Sequence, residues 1–379
     1  MDIRIVPYAA GHEEEVRRFV SRVRAAGIDP LRYSLRFPES CTPAWQAGRE
    51  GDVHEEYFLA LDSESVVRGG YILKHQSFML RGEPRRLAHY SLPISEGIAD
   101  RRFAPVALKL LEHALARQPL LMSLGIGGPE IPLARFLRAA GWSLVTIPFF
   151  FRVVHPRAFL RNIQVLRTSA FRRLALDALA ATGLGWLGIK ALQAMKRGYV
   201  PPAAVSWAPA AEPDDWADAP ADEIWRECHR RYGLVAVRDR RILGALYPSA
   251  ERRFIRLTVR RDGRPIGWAV LLATAMSSHK QFGGMRVGTL VDCLALPEDA
   301  RDVAACAREF LAASGVDLMV SNQASDAWGQ ALRDCGFLRG PSNFLLAAAP
   351  KLAGQLEPFA PSAGTFHLNR GDGDGPANL

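Results

Sequence analysis

The stretch "ARFLRAAGW" at residues 134–142 has a helical pattern of apolar residues that stops at Gly141, and an aromatic residue follows directly. Almost two hundred residues later, "QALRDCGF" at 330–337 ends in the same way, with Gly336 before Phe337. A glycine after a helix is a common C-terminal signal, because it adopts a left-handed backbone conformation at no steric cost. The repeated ending predicts that one structural unit is written twice in this chain.

The elements that lead up to each ending are predicted in the same order. In the first half, alternating and amphipathic runs indicate β-α-β-β-β-α-β-α-β, and the second half repeats this order from a hairpin that turns at Asp262-Gly263. Three landmark pairs keep a nearly constant shift, namely Gly141 with Gly336 (195 residues), Tyr71 with Trp268 (197) and Tyr90 with Leu290 (200). The pattern predicts an internal duplication, and two mixed domains that are alike by chance is the alternative.

The predicted domain bounds follow from this order. Residues 1–154 form the first domain, 155–215 a helical basic linker, 216–352 the second domain and 353–379 a tail. The length of 379 residues fits two domains of ordinary size. The predicted fold class is α/β (α+β), with two mixed-sheet domains in tandem joined by the helical linker.

The composition indicates a folded protein with an anionic partner. Hydrophobic residues make up 49% of the chain, charged residues 23%, and the formal net charge is +9. Such a surplus fits a CoA, a phosphorylated sugar, an acidic membrane face or nucleic acid. Because the basic residues are spread out and no zinc-finger or RNA-binding motif occurs, the sequence argues against nucleic acid. Five distant cysteines without a CxxC pair, and an N-terminus without a signal-peptide pattern, predict a cytoplasmic protein with free thiols.

The linker combines basic and large apolar residues. Its uncharged core runs only from Ala178 to Ile189, whereas a bilayer span needs about 20 apolar residues. Flanking basic residues are Arg161, Arg167, Arg172, Arg173, Lys190, Lys196 and Arg197. Two interpretations stay open, namely a helical region 157–197 that lies on an anionic membrane surface, and a helix that packs on both domains.

The element order and the repeated helix ending resemble the GNAT superfamily of N-acetyltransferases, and each copy covers most of one such domain. The resemblance implies that the strand before the central helix parts from its neighbour, and that acetyl-CoA or another acyl-CoA lies in the gap. Its pyrophosphate would rest at the start of the central helix, in a loop of pattern Gln/Arg-x-x-Gly-x-Gly/Ala. A Tyr in the last helix would protonate the leaving thiolate, and a Glu or Asp near the parted strand would deprotonate the amine.

The loop of the first copy falls in "ADRRFAPVALKLL". Arg102 takes the Arg place and Ala107 the last small place, so the resemblance implies Arg102, Ala104, Val106 and Ala107 as cofactor-binding residues. Pro105 stands at the Gly place and has no N–H to offer a phosphate.

The second copy departs further from the family pattern. Its loop, "LPEDARDVAACAREFL", has no Gly and carries Glu298, Asp299 and Asp302 where a pyrophosphate would lie. The place of the proton-donating Tyr is taken by Leu137 in the first copy and by Leu332 in the second. The resemblance therefore supports the architecture more strongly than the mechanism.

The candidate catalytic residues are Glu96, His89 and Asp292. Glu96 follows the central strand of the first copy and His89 lies on it, although a solvated loop acid and an outward-facing strand residue are the simpler interpretations. Asp292 interrupts an apolar strand of the second copy, so it either faces solvent or is paired. No Gly-x-Ser-x-Gly, His-Glu-x-x-His or Walker motif occurs, and no metal site is expected.

The resemblance implies an N-acyltransferase that moves an acyl group from acyl-CoA to an amine, for example an amino sugar in envelope or exopolysaccharide synthesis. Two alternatives stay open because a fold does not fix a function. One is a non-catalytic or regulatory protein that kept the fold and lost the chemistry. The other is an aminoacyl-tRNA-dependent transferase of Fem type, since paired GNAT-like domains also occur there.

Overall fold

The computed structural model describes residues 2–27, 53–167, 169–182, 185, 187–189, 191, 198–209 and 220–373. The chain divides into two compact units that do not follow its linear order. The first unit consists of Met1–Val145 with Leu345–Ala360, and the second of Thr146–Phe344 with Pro361–Leu379.

The helices and strands are numbered in chain order. Those that begin before residue 146 are β1 (Arg4–Pro7), α1 (Glu13–Ala25), β2 (Val53–Leu61), β3 (Val67–Leu80), β4 (Glu83–Ser95), α2 (Ala104–Arg117), β5 (Leu121–Leu124), α3 (Pro132–Ala139) and β6 (Ser143–Thr146). Those that follow are β7 (Phe149–Val153), α4 (Pro156–Asn162), α5 (Ala170–Thr182), β8 (Val205–Pro209), α6 (Pro220–Cys228), β9 (Leu234–Ala236), α7 (Arg240–Leu246), β10 (Ile255–Arg261), β11 (Arg264–Ala275), β12 (Arg286–Ala295), α8 (Ala300–Ala313), β13 (Leu318–Asn322), α9 (Asp326–Asp334), β14 (Leu338–Gly340), β15 (Leu345–Ala348), α10 (Pro350–Gln355), α11 (Phe359–Ser362) and β16 (Phe366–His367).

The main sheets of the two units have the same topology. In the first unit the strand order is β1-β2-β3-β4-β5-β15-β6, and in the second it is β8-β10-β11-β12-β13-β7-β14. The fourth and fifth strands run parallel in each sheet, β4 with β5 and β12 with β13, while the strands before them pair antiparallel. The prediction of two mixed-sheet domains in tandem is confirmed.

The last strand of each copy lies in the sheet of the other unit. β7 pairs antiparallel with β13, and β15 pairs antiparallel with β5. The predicted bounds keep 149–153 with the first domain and 345–348 with the second, so the structure differs from them at both strands. β8 differs too, because it lies inside the predicted linker 155–215 and forms the edge of the second sheet. An apolar strand fits either of two similar sheets, and its sequence does not say which one takes it.

Each face of the first sheet has its own apolar cluster. On one face, Tyr71, Leu73 and Tyr90 pack with Val106 and Leu110 of α2. On the other face, Ile72 packs with Val16, Phe19 and Val23 of α1 in a second cluster. Successive side chains of β3 thus alternate between the two clusters, which is the period that a strand buried on both sides requires.

The two repeated helix endings have the same geometry. Gly141 and Gly336 both adopt φ of +80°. The N–H of Trp142 bonds the carbonyl of Leu137, and the N–H of Phe337 bonds that of Leu332, each at 3.0 Å. Both leucines are fully buried, so the place of the family's Tyr is a core position in each copy. The repeated helix ending is therefore a feature of the fold, and its Tyr position supplies no proton donor in either copy.

Candidate active site

The fourth and fifth strands of the first unit separate shortly after they meet. They pair only at Ala88 with Leu121 and at His89 with Met122. At the next position Ser123 donates its hydroxyl to the Tyr90 carbonyl at 2.8 Å, which closes the apex of the gap. The gap between β4 and β5 beyond Ser123 is called the first opening below.

A β-bulge bends β4 beside the first opening. Ile72 pairs with Ser91 while Gly70 pairs with Ile94, so β4 carries an extra residue here. Leu92 in the bulge has φ of +46°, and residues 92–94 are half-buried. A bulge takes backbone groups out of the ladder and re-aims them, and bulges are frequent beside active sites. The first opening is thus lined by strand backbone whose regular ladder of hydrogen bonds is interrupted at the bulge.

His89 lies at the apex of the first opening. Its Nε2 accepts the N–H of Leu124 at 3.0 Å, and the ring is buried. A ring nitrogen that accepts an amide proton carries no proton of its own, so the imidazole is neutral in this arrangement. The structure places this predicted catalytic residue next to the gap, where it ties the two strands together.

Glu96 follows β4 in a short 3-10 turn and is held by two arginines. Arg22 Nε lies 3.2 Å from one carboxylate oxygen, and Arg68 Nη1 lies 2.9 Å from the other. Arg68 also pairs with Asp62 at 2.7 Å and stacks over the ring of Phe103 at 4.3 Å. Both oxygens of Glu96 are therefore engaged, and the geometry favours a charge-paired residue that fixes the turn after β4.

The start of α2 carries the predicted cofactor-binding residues. Arg102, Ala104 and Ala107 are at least partly exposed, whereas the side chain of Val106 is fully buried in the core. The backbone N–H of Arg102 bonds Asp100 at 2.9 Å, and its guanidinium bonds the same carboxylate at 2.6 Å. The hydrogen bonds from Arg102 lower the pKa of Asp100. Because Pro105 occupies the first turn and Asp100 takes both the N–H and the guanidinium of Arg102, an anion bound here would compete with Asp100 for Arg102.

The second unit repeats the parted strands at the corresponding residues. β12 and β13 pair from Val287 with Leu318 to Leu290 with Ser321. Ser321 then donates its hydroxyl to the Leu290 carbonyl at 3.3 Å, as Ser123 does in the first unit. The gap beyond Ser321 is called the second opening. Sequence reasoning passed over both serines, although each stands in a buried strand of its copy.

The pairing of Tyr71 with Trp268, which lie on the third strand of the first and second sheets, is wrong by one residue. Leu73 pairs with Tyr90 in the first sheet, and Leu271 pairs with Leu290 in the second, which fixes the shift on this strand at 198. Tyr71 therefore corresponds to Ala269 and not to Trp268. A shift of one residue turns a strand side chain to the opposite face, and both faces are apolar here, so the sequence pattern could not decide.

Asp292 is completely buried and fully paired. Its Oδ2 accepts Arg238 Nε at 2.7 Å and the Tyr247 hydroxyl at 2.6 Å. Its Oδ1 accepts Asn369 Nδ2 at 2.8 Å and the N–H of Cys293 at 2.9 Å. Four donors occupy the lone pairs of a carboxylate, so this geometry favours a structural ion pair over a base that accepts a substrate proton.

Residues from the predicted tail complete this cluster. Arg238 Nη2 bonds Asp372 Oδ1, and Asp372 Oδ2 accepts the N–H of Asn369 at 2.9 Å. Arg238 and Asp372 are 1% and 2% exposed, so the guanidinium stands buried between two buried carboxylates. The alternation in "TFHLN" at 365–369 is the sequence signal that could have shown a buried strand in this range.

The described cysteines are buried free thiols. They are Cys228, Cys293, Cys306 and Cys335, while Cys41 lies outside the described residues. Burial raises the pKa of the Cys228 thiol to about 12, so it stays protonated and unreactive. Within the described ranges, no group of three or more His, Cys, Asp or Glu residues is placed to hold a metal ion. Within the same ranges, no helix has the length and apolarity to cross a membrane.

Three solved structures resemble this chain over most of its length. A conserved protein of unknown function from Enterococcus faecalis, described as a probable N-acyltransferase, has a TM-score of 0.51 and 11% identity, over 94% of this chain and 74% of that one. A GCN5-related N-acetyltransferase from Anabaena variabilis has a TM-score of 0.51 and 11% identity, over 92% and 73%. The N-myristoyltransferase of Saccharomyces cerevisiae, with bound myristoyl-CoA and inhibitors, has a TM-score of 0.51 and 10% identity, over 91% and 79%.

The chain has a tandem GNAT fold. The predicted resemblance to the GNAT superfamily is thereby confirmed at the level of the fold, which is what similarity at this identity shows. No family model and no curated protein matches the sequence. Within this GNAT fold, the two openings lie at the place where the fourth and fifth strands part, one in each unit.

Proposed function

We propose that the protein is an N-acyltransferase that takes its donor, acetyl-CoA or another acyl-CoA, in the first opening. The observation that carries the proposal is the first opening itself, where β4 is bulged, leaves β5 after two residue pairs and keeps residues 92–94 half-buried. Pantetheine is a thin chain with amide groups, which suits a gap lined by strand backbone. Two of the structural neighbours are described as an N-acetyltransferase and an N-myristoyltransferase, and the third as a probable N-acyltransferase, which supports an amine acceptor.

The residues at the start of α2 fit the diphosphate of a CoA in part. Arg101 and Arg102 are exposed one after the other, directly before a helix of 14 residues. The positive end of the helix dipole adds to the two guanidiniums. Pro105 removes one backbone donor, so Arg101 and Arg102 would hold the phosphates mainly through their side chains, with Arg102 exchanging its bonds to Asp100 for bonds to a phosphate.

The first opening would orient the donor, and the transferred group comes from the CoA thioester. The pairs His89–Leu124 and Ser123–Tyr90 hold the apex and keep β4 and β5 at a fixed separation. Neither first-unit candidate is open to the amine proton, because His89 Nε2 already accepts the N–H of Leu124 and Glu96 is held by two arginines. We therefore propose that both are positioning residues of the first opening. An amino sugar of envelope or exopolysaccharide synthesis is the acceptor class to test first.

Loss of the two arginines at the start of α2 tests where the donor binds. The double variant Arg101→Ala with Arg102→Ala is expected to bind acetyl-CoA or a longer acyl-CoA about tenfold more weakly, because two cations facing the phosphates are removed. Isothermal titration calorimetry at low and moderate salt measures this, and the difference should shrink as salt rises.

The matched control removes the same two positive charges from other elements of the first unit. Arg24→Ala with Arg85→Ala removes two exposed arginines of the same unit, one at the end of α1 and one at the start of β4. Equal weakening in both double variants would contradict the assignment of the phosphate site. No acyl-CoA binding at millimolar ligand would remove the acyltransferase proposal in favour of a non-catalytic protein. Salt-sensitive binding of aminoacyl-tRNA would instead favour the Fem-type alternative.

We further propose that the region around α5 contacts an anionic membrane surface. Phe171 is 80% exposed, Leu174 is 71% exposed, and Arg172 and Arg173 are exposed between them. Large apolar side chains in water beside arginines are the composition of a helix that lies in the headgroup region. The single acid on α5, Asp177, is already paired with Arg167 at 2.8 Å.

Polar replacements on α5 test the membrane proposal. Phe171→Ser with Leu174→Ser is expected to reduce co-sedimentation with phosphatidylserine-containing vesicles by at least about tenfold, because two apolar side chains no longer enter the lipid. Leu108→Ser, at an exposed apolar residue of α2, is the control and should bind like the parent protein. Unchanged binding of the double variant, or equal binding to neutral vesicles, would contradict this partner.

A further inference from the structure

The segment of residues 366–373, called the C-terminal segment, lies in the second opening. On the β13 side, the N–H of Ala324 bonds the Leu368 carbonyl at 3.0 Å, and Gln323 forms an antiparallel bridge with Asn369. On the β12 side, Asn369 Nδ2 donates to Asp292 at 2.8 Å. The segment therefore touches both strands just beyond the point where they part.

The C-terminal segment is held along its length by buried contacts. Phe366 and His367 pair in parallel with β9, and the His367 ring packs edge-on against Tyr232 with centroids 4.7 Å apart. Leu368 and Asn369 have no exposed surface. Arg370 Nε reaches Asn322 Oδ1 at 3.0 Å, at the end of β13. Main-chain pairing with side chains in alternate pockets is how a sheet edge recognises an extended peptide.

The carboxylate of Asp372, near the end of the C-terminal segment, joins a buried ion pair of the second unit. Asp372 and Asp292 share the guanidinium of Arg238, so the segment supplies one of the two carboxylates that this buried cation contacts. Withdrawing the segment would leave Arg238 with one carboxylate fewer, and an uncompensated buried charge strongly destabilises a folded protein. Residues 291–295 of β12 are all buried, whereas residues 92–94 of β4 in the first unit are half-buried.

We infer that the second unit is a GNAT copy whose opening binds a peptide of its own chain in place of an acyl donor. The second opening is an intramolecular peptide site that recognises an apolar–polar strand followed by a carboxylate. The chain then takes acyl-CoA in the first unit alone, a consequence that rests on the proposed function. The acids Glu298 and Asp299, at the start of α8, agree with a copy that no longer meets phosphates.

Cutting the chain after it has folded tests the peptide site. A protease site inserted between Ala360 and Pro361, which are both exposed, allows the folded full-length protein to be nicked. The released fragment 361–379 is expected to co-elute with the body of the protein in size-exclusion chromatography. A labelled synthetic peptide of residues 361–379 should exchange into the nicked protein slowly.

The ion pair provides the matched comparison. Asp372→Asn in the fragment is expected to speed its dissociation at least about tenfold, since Arg238 loses a charged partner. Asp374→Asn, at a position outside the described residues, removes the same formal charge two residues later and is the charge-matched comparison. Immediate loss of the parent fragment on nicking, or equal effects of the two substitutions, would overturn the peptide site.

Acyl-CoA titration separates this inference from the proposed function. The intact protein is expected to bind one acyl-CoA per chain. The nicked protein is expected to keep fragment 361–379 when it is saturated with acyl-CoA. Two acyl-CoA molecules per chain, or release of the fragment by acyl-CoA, would overturn the closed second unit. Retention of the fragment without any acyl-CoA binding would contradict the proposed function and would still support the peptide site.

Discussion

Asp292→Asn is expected to lower the free energy of unfolding of the second unit by about 3–5 kcal/mol, the usual cost of breaking a buried ion pair from one side. Arg238 and Asp292 are 1% and 0% exposed, so water cannot replace the lost charge. The neutral amide also brings two N–H donors among groups that already donate to this position, namely Arg238, Tyr247 and Asn369. The substitution therefore removes an attraction and adds an unsatisfied polar group.

Urea unfolding followed by tryptophan fluorescence measures this loss. Trp268 and Trp328 are buried in the second unit, so their emission reports on its transition. Asp262→Asn is the control, because Asp262 is exposed at the β10–β11 turn with φ of +50°, which asparagine also adopts readily. A catalytic base would behave differently from a structural one. Loss of transferase activity with unchanged stability would contradict the structural role of Asp292.

Acidification from pH 6.5 to pH 4 is expected to destabilise the second unit by about 3 kcal/mol through His367 alone. Burial lowers the pKa of His367 to about 4, well below the value near 6.5 of an exposed imidazole. The unfolded chain therefore takes up a proton as the pH falls through 6.5, while the native ring stays neutral until about pH 4. The stability that the neutral ring contributes is complete above pH 6.5 and is lost in this window.

The surroundings of His367 explain why the native ring resists a proton. Desolvation is the largest cause of the lowered pKa, Arg238 acts in the same direction, and together they outweigh the nearby Asp292 carboxylate, which favours the charged form. Among the described residues, His367 Nε2 has no hydrogen-bond partner, so a proton added there would be uncompensated. His367→Phe, which keeps an aromatic ring against Tyr232, should flatten the pH dependence of the urea midpoint. A variant as pH-dependent as the parent would show that another group carries the effect.

Local signals in the sequence predicted much of the fold. The glycine endings at Gly141 and Gly336, the Asp262-Gly263 turn and the alternating strands each depend on residues close together in the chain. The sheet assignment of β7 and β15 depends on which of two similar edges a strand meets, and nothing within either strand encodes that choice. The one-residue slip at Tyr71 has the same origin, because β3 is apolar on both faces.

The candidate site was less accessible to sequence reasoning. The composition around Asp292 left two outcomes, exposed or paired, and the structure decides for the paired one. Its partners Arg238 and Asn369 stand 54 and 77 residues away in the chain. Such pairs are visible only once the chain is folded. By contrast, the family pattern placed the start of the central helix in residues 99–111, where α2 begins at Ala104, and it identified Leu137 and Leu332 as the residues that stand at the place of the Tyr.

The exchange of β7 and β15 between the two sheets makes each copy depend on the other for a complete sheet. A gene fragment that stops at residue 154 would encode a first copy without β15 and with β7 left over, and the remainder would have the reverse deficit. Each product would carry an unfilled strand position and a loose apolar strand of matching shape. Two such fragments can complete one another, whereas either alone is prone to pair with its own kind. Loss of either half would remove one strand from the sheet of the other, which gives a reason for both copies to be kept together.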